Sequence, residues 1–93
     1  MKLYDPGTLK AFLALHGITA QKGLGQHFLC SRQTVEEIDR ALGDCQGVLE
    51  IGPGPGVITS PISDRVTKMI ALELDERMVR ALAASSPRAD VRQ

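Results

Sequence analysis

"VLEIGPGPGVITS", residues 48–60, sets three glycines and two prolines into five positions directly behind a short apolar run. A tight turn needs one glycine. Three in alternation, Gly52, Gly54 and Gly56, bare the main chain for a close approach, because a side chain at any of them would stand between ligand and backbone. Pro53 and Pro55 hold φ near about −65° and lack an N–H, so the same stretch is stiff. A loop both bare and preset gives up little ordering entropy on contact.

Working outward, "GVLEI" (47–51) is a nearly continuous apolar run, which predicts a strand covered on both faces. After the loop a helix is expected over about 57–65, with Pro61 near its first turn, where N–H groups have no intrahelical acceptor. "KMIALEL" (68–74) predicts a second buried strand. "DERMVRALAAS" (75–85) predicts a helix with Val79, Leu82 and Ala83 inward, Asp75 as N-cap and Pro87 as the stop. "ADVRQ" (89–93) stands where a third strand should begin. Strand–helix–strand with buried strands implies parallel pairing and a right-handed crossover.

Upstream, residues 8–16 place Leu9, Phe12 and Leu13 on one helical face, with Gly17 as a stop, and 18–29 read as an ordered loop. A helix over 32–42 carries Val35, Ile38 and Leu42 on one face. Ser31 caps it if it begins early, and Thr34 with Glu37 forms a capping box if it begins late. Glu36 and Glu37 are expected near its positive end and Arg40 near its negative end. The fold class is α/β, one domain, with 1–46 as a helix-and-loop lead-in and 47–93 as the start of the core.

In such folds small ligands bind beyond the carboxyl ends of the strands, where the glycine loop lies. A P-loop would end in Gly-Lys-Ser/Thr, and "GVITS" does not. A dinucleotide fingerprint spaces its glycines G-x-G-x-x-G, whereas these alternate, and the two prolines remove amides that a pyrophosphate would want. Glu73, 21 residues after Gly52, sits near the end of the second strand, where a carboxylate accepts hydrogen bonds from a ribose diol. The combination suits a nucleoside cofactor without phosphates, of which S-adenosylmethionine is the common one. Glu50, a lone charge in an apolar strand, is expected to face the cofactor's ammonium end.

The totals bound the rest. At 93 residues the chain is one small domain at most, and 43% hydrophobic with 24% charged residues is globular composition. Eleven basic and eleven acidic residues cancel, so net charge alone indicates no polyanionic partner. Residues 1–35, however, carry Lys2, Lys10, Lys22 and Arg32 against Asp5, a local +3 that allows RNA contact. Cys30 and Cys45 match no metal or redox spacing and suit a reducing cytosol. No run approaches the ~20 apolar residues of a membrane span. The expectation is a cytoplasmic protein with no metal and no membrane association.

"KGLGQHFL" (22–29), "VLEIGPGPGVIT" (48–59) and "ALELDERM" (71–78) together resemble the start of the ribosomal RNA adenine dimethyltransferases, which modify adenosines near the 3′ end of small-subunit rRNA. The related erythromycin-resistance methyltransferases share much of the pattern. The resemblance implies a Rossmann-like class I S-adenosylmethionine-dependent methyltransferase fold, incomplete here, with segment 22–30 folded over the cofactor. It implies that His27 and Leu29 contact S-adenosylmethionine, that Gly52 lines its methionine end and that Glu73 holds the ribose. The family most often has Asn where this chain has His27.

The family's adenine-reading acid and its Asn-Leu-Pro-Tyr-type catalytic motif follow the third and fourth strands. Neither occurs in these 93 residues, which contain no Asn, so no catalytic residue is assigned. The resemblance implies ribosomal RNA of the small subunit as partner. It also carries the expectation that these residues alone bind cofactor feebly and transfer no methyl. Two competing readings are the nucleotide half of an NAD-dependent oxidoreductase and a non-catalytic RNA- or ribosome-binding relative.

Overall fold

The computed structural model describes residues 2–18 and 31–93. His27, Leu29, Cys30 and the whole 22–30 segment lie outside the described residues.

Helix α1 spans Pro6–Leu15 and buries Leu9, Phe12 and Leu13. It starts two residues before the apolar pattern because Asp5 caps it, its carboxylate accepting from the Thr8 N–H at 3.0 Å and the Thr8 hydroxyl at 2.8 Å. Pro6 takes the first position, where its missing N–H costs nothing. Helix α2 spans Arg32–Leu42 and begins early, on Ser31, whose Oγ accepts from the Thr34 N–H at 3.2 Å. The early start moves Glu36 and Glu37 out of the first turn, against expectation. Glu36 pairs there with Arg32 at 2.9 Å and Glu37 accepts from Gln33 at 3.3 Å.

Strand β1 (Gly47–Ile51) leads through the glycine loop into a short helix α3 (Thr59–Ser63), then strand β2 (Lys68–Leu72), helix α4 (Glu76–Ser85) and a short strand β3 (Asp90–Arg92). The three strands form a parallel sheet in the order β1-β2-β3, with Glu50 opposite Ala71 and Ala71 opposite Val91. Asp75 caps α4 as expected, accepting from the Arg77 N–H at 2.9 Å.

Two further expectations need correction. Among the described residues β1 is covered on one face only: Val48 and Glu50 are half-buried, whereas Leu49 is 59% and Ile51 77% exposed. Both crossovers step the same way along the sheet, and right-handed crossovers of one direction put their helices on one face. α3 accordingly packs Ile62 against Met69, with Val48 at the edge of that cluster, while Leu72 joins Leu49 and Ile51 among the exposed apolar residues.

The inward stripe of α4 is the other. It is Met78, Ala81, Leu82 and Ser85, with Val79 half-buried and Ala83 exposed. A serine completes the i, i+3, i+4, i+7 stripe because its hydroxyl finds a buried acceptor in the glycine loop. A second cluster joins the helical layer: Leu9, Phe12 and Leu13 of α1, Val35 of α2, Met78 and Ala81 of α4, and Val57 just after the loop. Ile58 packs on both clusters, so the loop leaves β1 anchored to the whole helical side.

Candidate functional site

The site lies at the carboxyl ends of β1 and β2. The sheet's hydrogen bonding runs past the strands on both sides of it. The Gly52 N–H donates to the Leu72 carbonyl and the Glu73 N–H to the Arg92 carbonyl, each at 2.9 Å. Bend and carboxylate are therefore set by the sheet itself.

Gly52 has φ +69°, a left-handed conformation that favours glycine, and a Cβ built there would meet nothing within 4 Å. The side chain of Glu73 points at the bend. Its Oε1 accepts from the Gly54 N–H and its Oε2 from the Asp75 N–H, both at 3.0 Å. A carboxylate offers about four acceptor sites, so each oxygen keeps capacity for a further donor. Beside these groups opens a hollow of about 390 Å³ lined by Ile51, Gly52, Leu72, Glu73, Leu74 and Gln93. Apolar walls, a carboxylate with free lone pairs and a main chain without a side chain in the way fit a ligand with a flat apolar ring and a diol. That is the chemistry of an adenosine.

The remaining residues singled out in the sequence separate into different places. Gly56 has φ +105° and is buried; a Cβ there would lie 2.3 Å from the Ser85 Oγ and 3.0 Å from the Leu82 Cδ1. Its bareness lets α4 press against the back of the loop, away from the hollow. Gly54 meets Glu73 through its amide.

Glu50 stands apart from the residues that line the hollow. The alternation of β1 turns it to the helix side, where it accepts from the Thr59 hydroxyl at 2.5 Å and helps line a separate apolar cavity of about 280 Å³ with Ile38, Leu42, Ile62 and Met69. Burial pushes its carboxyl above the ordinary range, and the Thr59 hydrogen bond offsets part of that rise. It ties the end of β1 to the first helical residue after the loop.

Asp75, by contrast, is drawn down to about 2, first by the Arg77 side chain at 2.8 Å and then by the Arg77 N–H. It serves as the cap of α4 and does not line the hollow. Thr59 and Ser85 are the residues that sequence reasoning missed. Ser85 carried a signal, seven positions after Met78 on the inward stripe. Thr59 carried none.

Among the described residues no group of three or more His, Cys, Asp or Glu is arranged to hold a metal ion, and no helix is long and apolar enough to cross a membrane.

Comparison with known proteins adds independent findings. The family model for ribosomal RNA adenine dimethylases matches residues 17–91. The ribosomal RNA small subunit methyltransferase A of Deinococcus radiodurans is 43% identical over 91 residues, 96% of this chain and 31% of that protein. Its namesake from Zymomonas mobilis is 42% identical over 80 residues, 84% of this chain and 29% of that protein. The chain thus spans about a third of the length of these relatives. Among solved structures, a TehB-like SAM-dependent methyltransferase from Corynebacterium glutamicum aligns with TM-score 0.59 at 17% identity, over 92% of this chain and 41% of that one. A glycopeptide N-methyltransferase complexed with sinefungin aligns with TM-score 0.52 at 21% identity, over 98% of this chain and 41% of that one. These two likenesses establish the fold: a parallel α/β sheet of the Rossmann-like methyltransferase kind. The NAD-dependent alternative is not favoured.

Proposed function

The chain belongs to the ribosomal RNA adenine dimethylase family, and from that premise we propose that it is the cofactor-binding part of an S-adenosylmethionine-dependent enzyme that dimethylates adenosine N6 in small-subunit ribosomal RNA. The observation that carries the reading is the Glu73 carboxylate, held 3.0 Å from the loop amide of Gly54 across the mouth of the hollow. Bound there, S-adenosylmethionine supplies an electrophilic methyl group.

Each residue then has a task. Glu73 accepts from the two ribose hydroxyls. Gly52 gives the methionine end an unobstructed approach to the main chain. Ile51, Leu72 and Leu74 cover the adenine ring, excluding water from one side of it. His27 and Leu29 remain proposed contacts from the segment outside the described residues. Glu50 and Gly56 support the loop from the helix side and do not touch the ligand.

Adenine N6 is a weak nucleophile because its lone pair is delocalised into the ring, so the reaction depends on in-line positioning of methyl and amine. This chain's contribution is to fix the donor half of that line. The target base must leave its stack to be reached, and residues elsewhere in the enzyme hold it. With a ribosomal substrate, the cytoplasm is the compartment we propose for this work.

The test is a titration of the 15N-labelled chain with S-adenosylmethionine, followed by NMR. Shifts are expected at Gly52, Gly54, Glu73 and Leu74, with weak affinity and no methyl transfer to ribosomal RNA by these 93 residues. Glu73→Ala is expected to weaken binding more than about tenfold through loss of charge-assisted hydrogen bonds. Equal affinity in Glu73→Ala would remove the assignment.

A further inference from the structure

The glycine loop is tied on three sides. Glu73 holds the Gly54 amide from the ligand side, and Thr59 donates to Glu50 beneath. The third tie comes from behind. The Ser85 hydroxyl, at the C-terminal end of α4, donates to the Pro55 carbonyl at 2.7 Å, across thirty residues of sequence. A helical serine ordinarily turns its hydroxyl back on its own helix. Here that intrahelical bond, to the Leu82 carbonyl, is the longer one at 3.3 Å, and the Pro55 carbonyl is the nearer acceptor.

A hydroxyl has one proton to give. With that of Ser85 committed to Pro55, the neighbouring Ser86 Oγ, 3.1 Å away, is left to donate to Ser85. The result is a relay, Ser86 to Ser85 to the Pro55 carbonyl, in which each bond polarises the next. All three residues are buried. Gly56 is what lets the relay come this close, since any Cβ would collide with the Ser85 Oγ.

We propose that Ser85 is a positioning residue: acting through the Pro55 carbonyl, it fixes the bend at 52–56 in its ligand-ready shape without touching the ligand. The proposal rests on the cofactor reading above for the identity of that ligand. A ribose arriving at Glu73 draws on the same carboxylate that holds Gly54. The tie from Ser85 is independent of occupancy, so it keeps the loop in place while the front contact is shared.

The test compares the unsubstituted chain with Ser85→Ala, Ser85→Cys and Ser86→Ala by NMR, reading amide exchange without ligand and the S-adenosylmethionine dissociation constant well below each melting temperature. Ser85→Ala is expected to speed exchange at Gly54, Gly56 and Val57 about tenfold, leave the β2 amides unchanged, and weaken binding about tenfold. Ser85→Cys, which keeps a weak donor, recovers part of both, and Ser86→Ala gives a smaller effect of the same sign. A purely structural serine would lower the melting temperature and leave affinity intact, which would overturn the proposal. Unchanged loop exchange, or equal acceleration of all amides, would also overturn it. Should Ser85→Ala not fold, the same criteria apply to Ser85→Cys and Ser86→Ala. If the unsubstituted chain gives no shifts with S-adenosylmethionine while Ser85→Ala still frees the loop, the cofactor reading fails and the tie is upheld.

Discussion

The two faces of the sheet are made of the same kind of residue and differ in what lies over them. Met69 and Ala71 point to the helix side and are almost fully buried; Leu49, Ile51 and Leu72 point the other way into solvent. Composition does not separate them. The difference is topological, because two successive crossovers in one direction cover one face twice and the other not at all. The bare face also forms the apolar part of the hollow, through Ile51 and Leu72. The face that packs holds the domain together, and the face that does not carries the candidate site.

The comparison breaks first at Ala71. Ala71→Glu puts a carboxylate into a fully buried position without a partner and is expected to cost at least about 3 kcal/mol, enough to unfold much of a small domain. Urea denaturation of that variant beside Leu49→Lys is the direct contrast. If the two behaved alike, the assignment of packed and bare faces would be wrong. Between these extremes, Asp5→Ala removes the N-cap of α1 and is expected to lower the urea midpoint by less than Ala71→Glu does, by the same measurement.

The two perturbed acids sharpen the comparison through pH. Glu50, half-buried under the packed face, has a raised folded pKa, so the unfolded chain releases its proton first as pH rises. Its contribution therefore declines with rising pH, from the ordinary value of 4.5 up through the raised folded value. Glu50→Gln, which keeps an acceptor for Thr59, is expected to flatten that decline. Asp75, near the surface, has the opposite sign: its pKa falls from 3.8 to about 2, so its contribution is present above the ordinary value and is lost as pH falls between them. Asp75→Asn is expected to remove that acid-side loss. Chemical denaturation across pH 2–8 reads both slopes. The smallest expected effect is Leu49→Lys itself, within about 0.5 kcal/mol, because an already exposed side chain changes little.

Much of the core was legible because local signals agreed with one another. The apolar runs, the glycine loop, Ser31 as a cap and Glu73 at the end of the second strand all follow from residue types at fixed offsets. Three things were not. A near-continuous apolar run marks a strand but says nothing of which side a given residue faces, so the place of Glu50 beside Thr59 on the helix side could not be read from it. Gly56 looks like Gly52 in sequence, because an absent side chain makes room equally for a ligand or for a helix. The face of α4 was misread because Ser85 counts as polar until the Pro55 carbonyl is seen beside it. The last two concern contacts between residues distant in the chain, which periodicity does not encode.

The peptide hydrogen bonds that continue the ladder at Gly52 and Glu73 have a mechanical consequence. The two jaws of the hollow are neighbouring strand ends at a spacing fixed by the ladder, about 4.8 Å from chain to chain. They cannot swing apart without unzipping the sheet. Among the described residues, the walls of the hollow therefore hold their spacing for as long as the ladder stays closed.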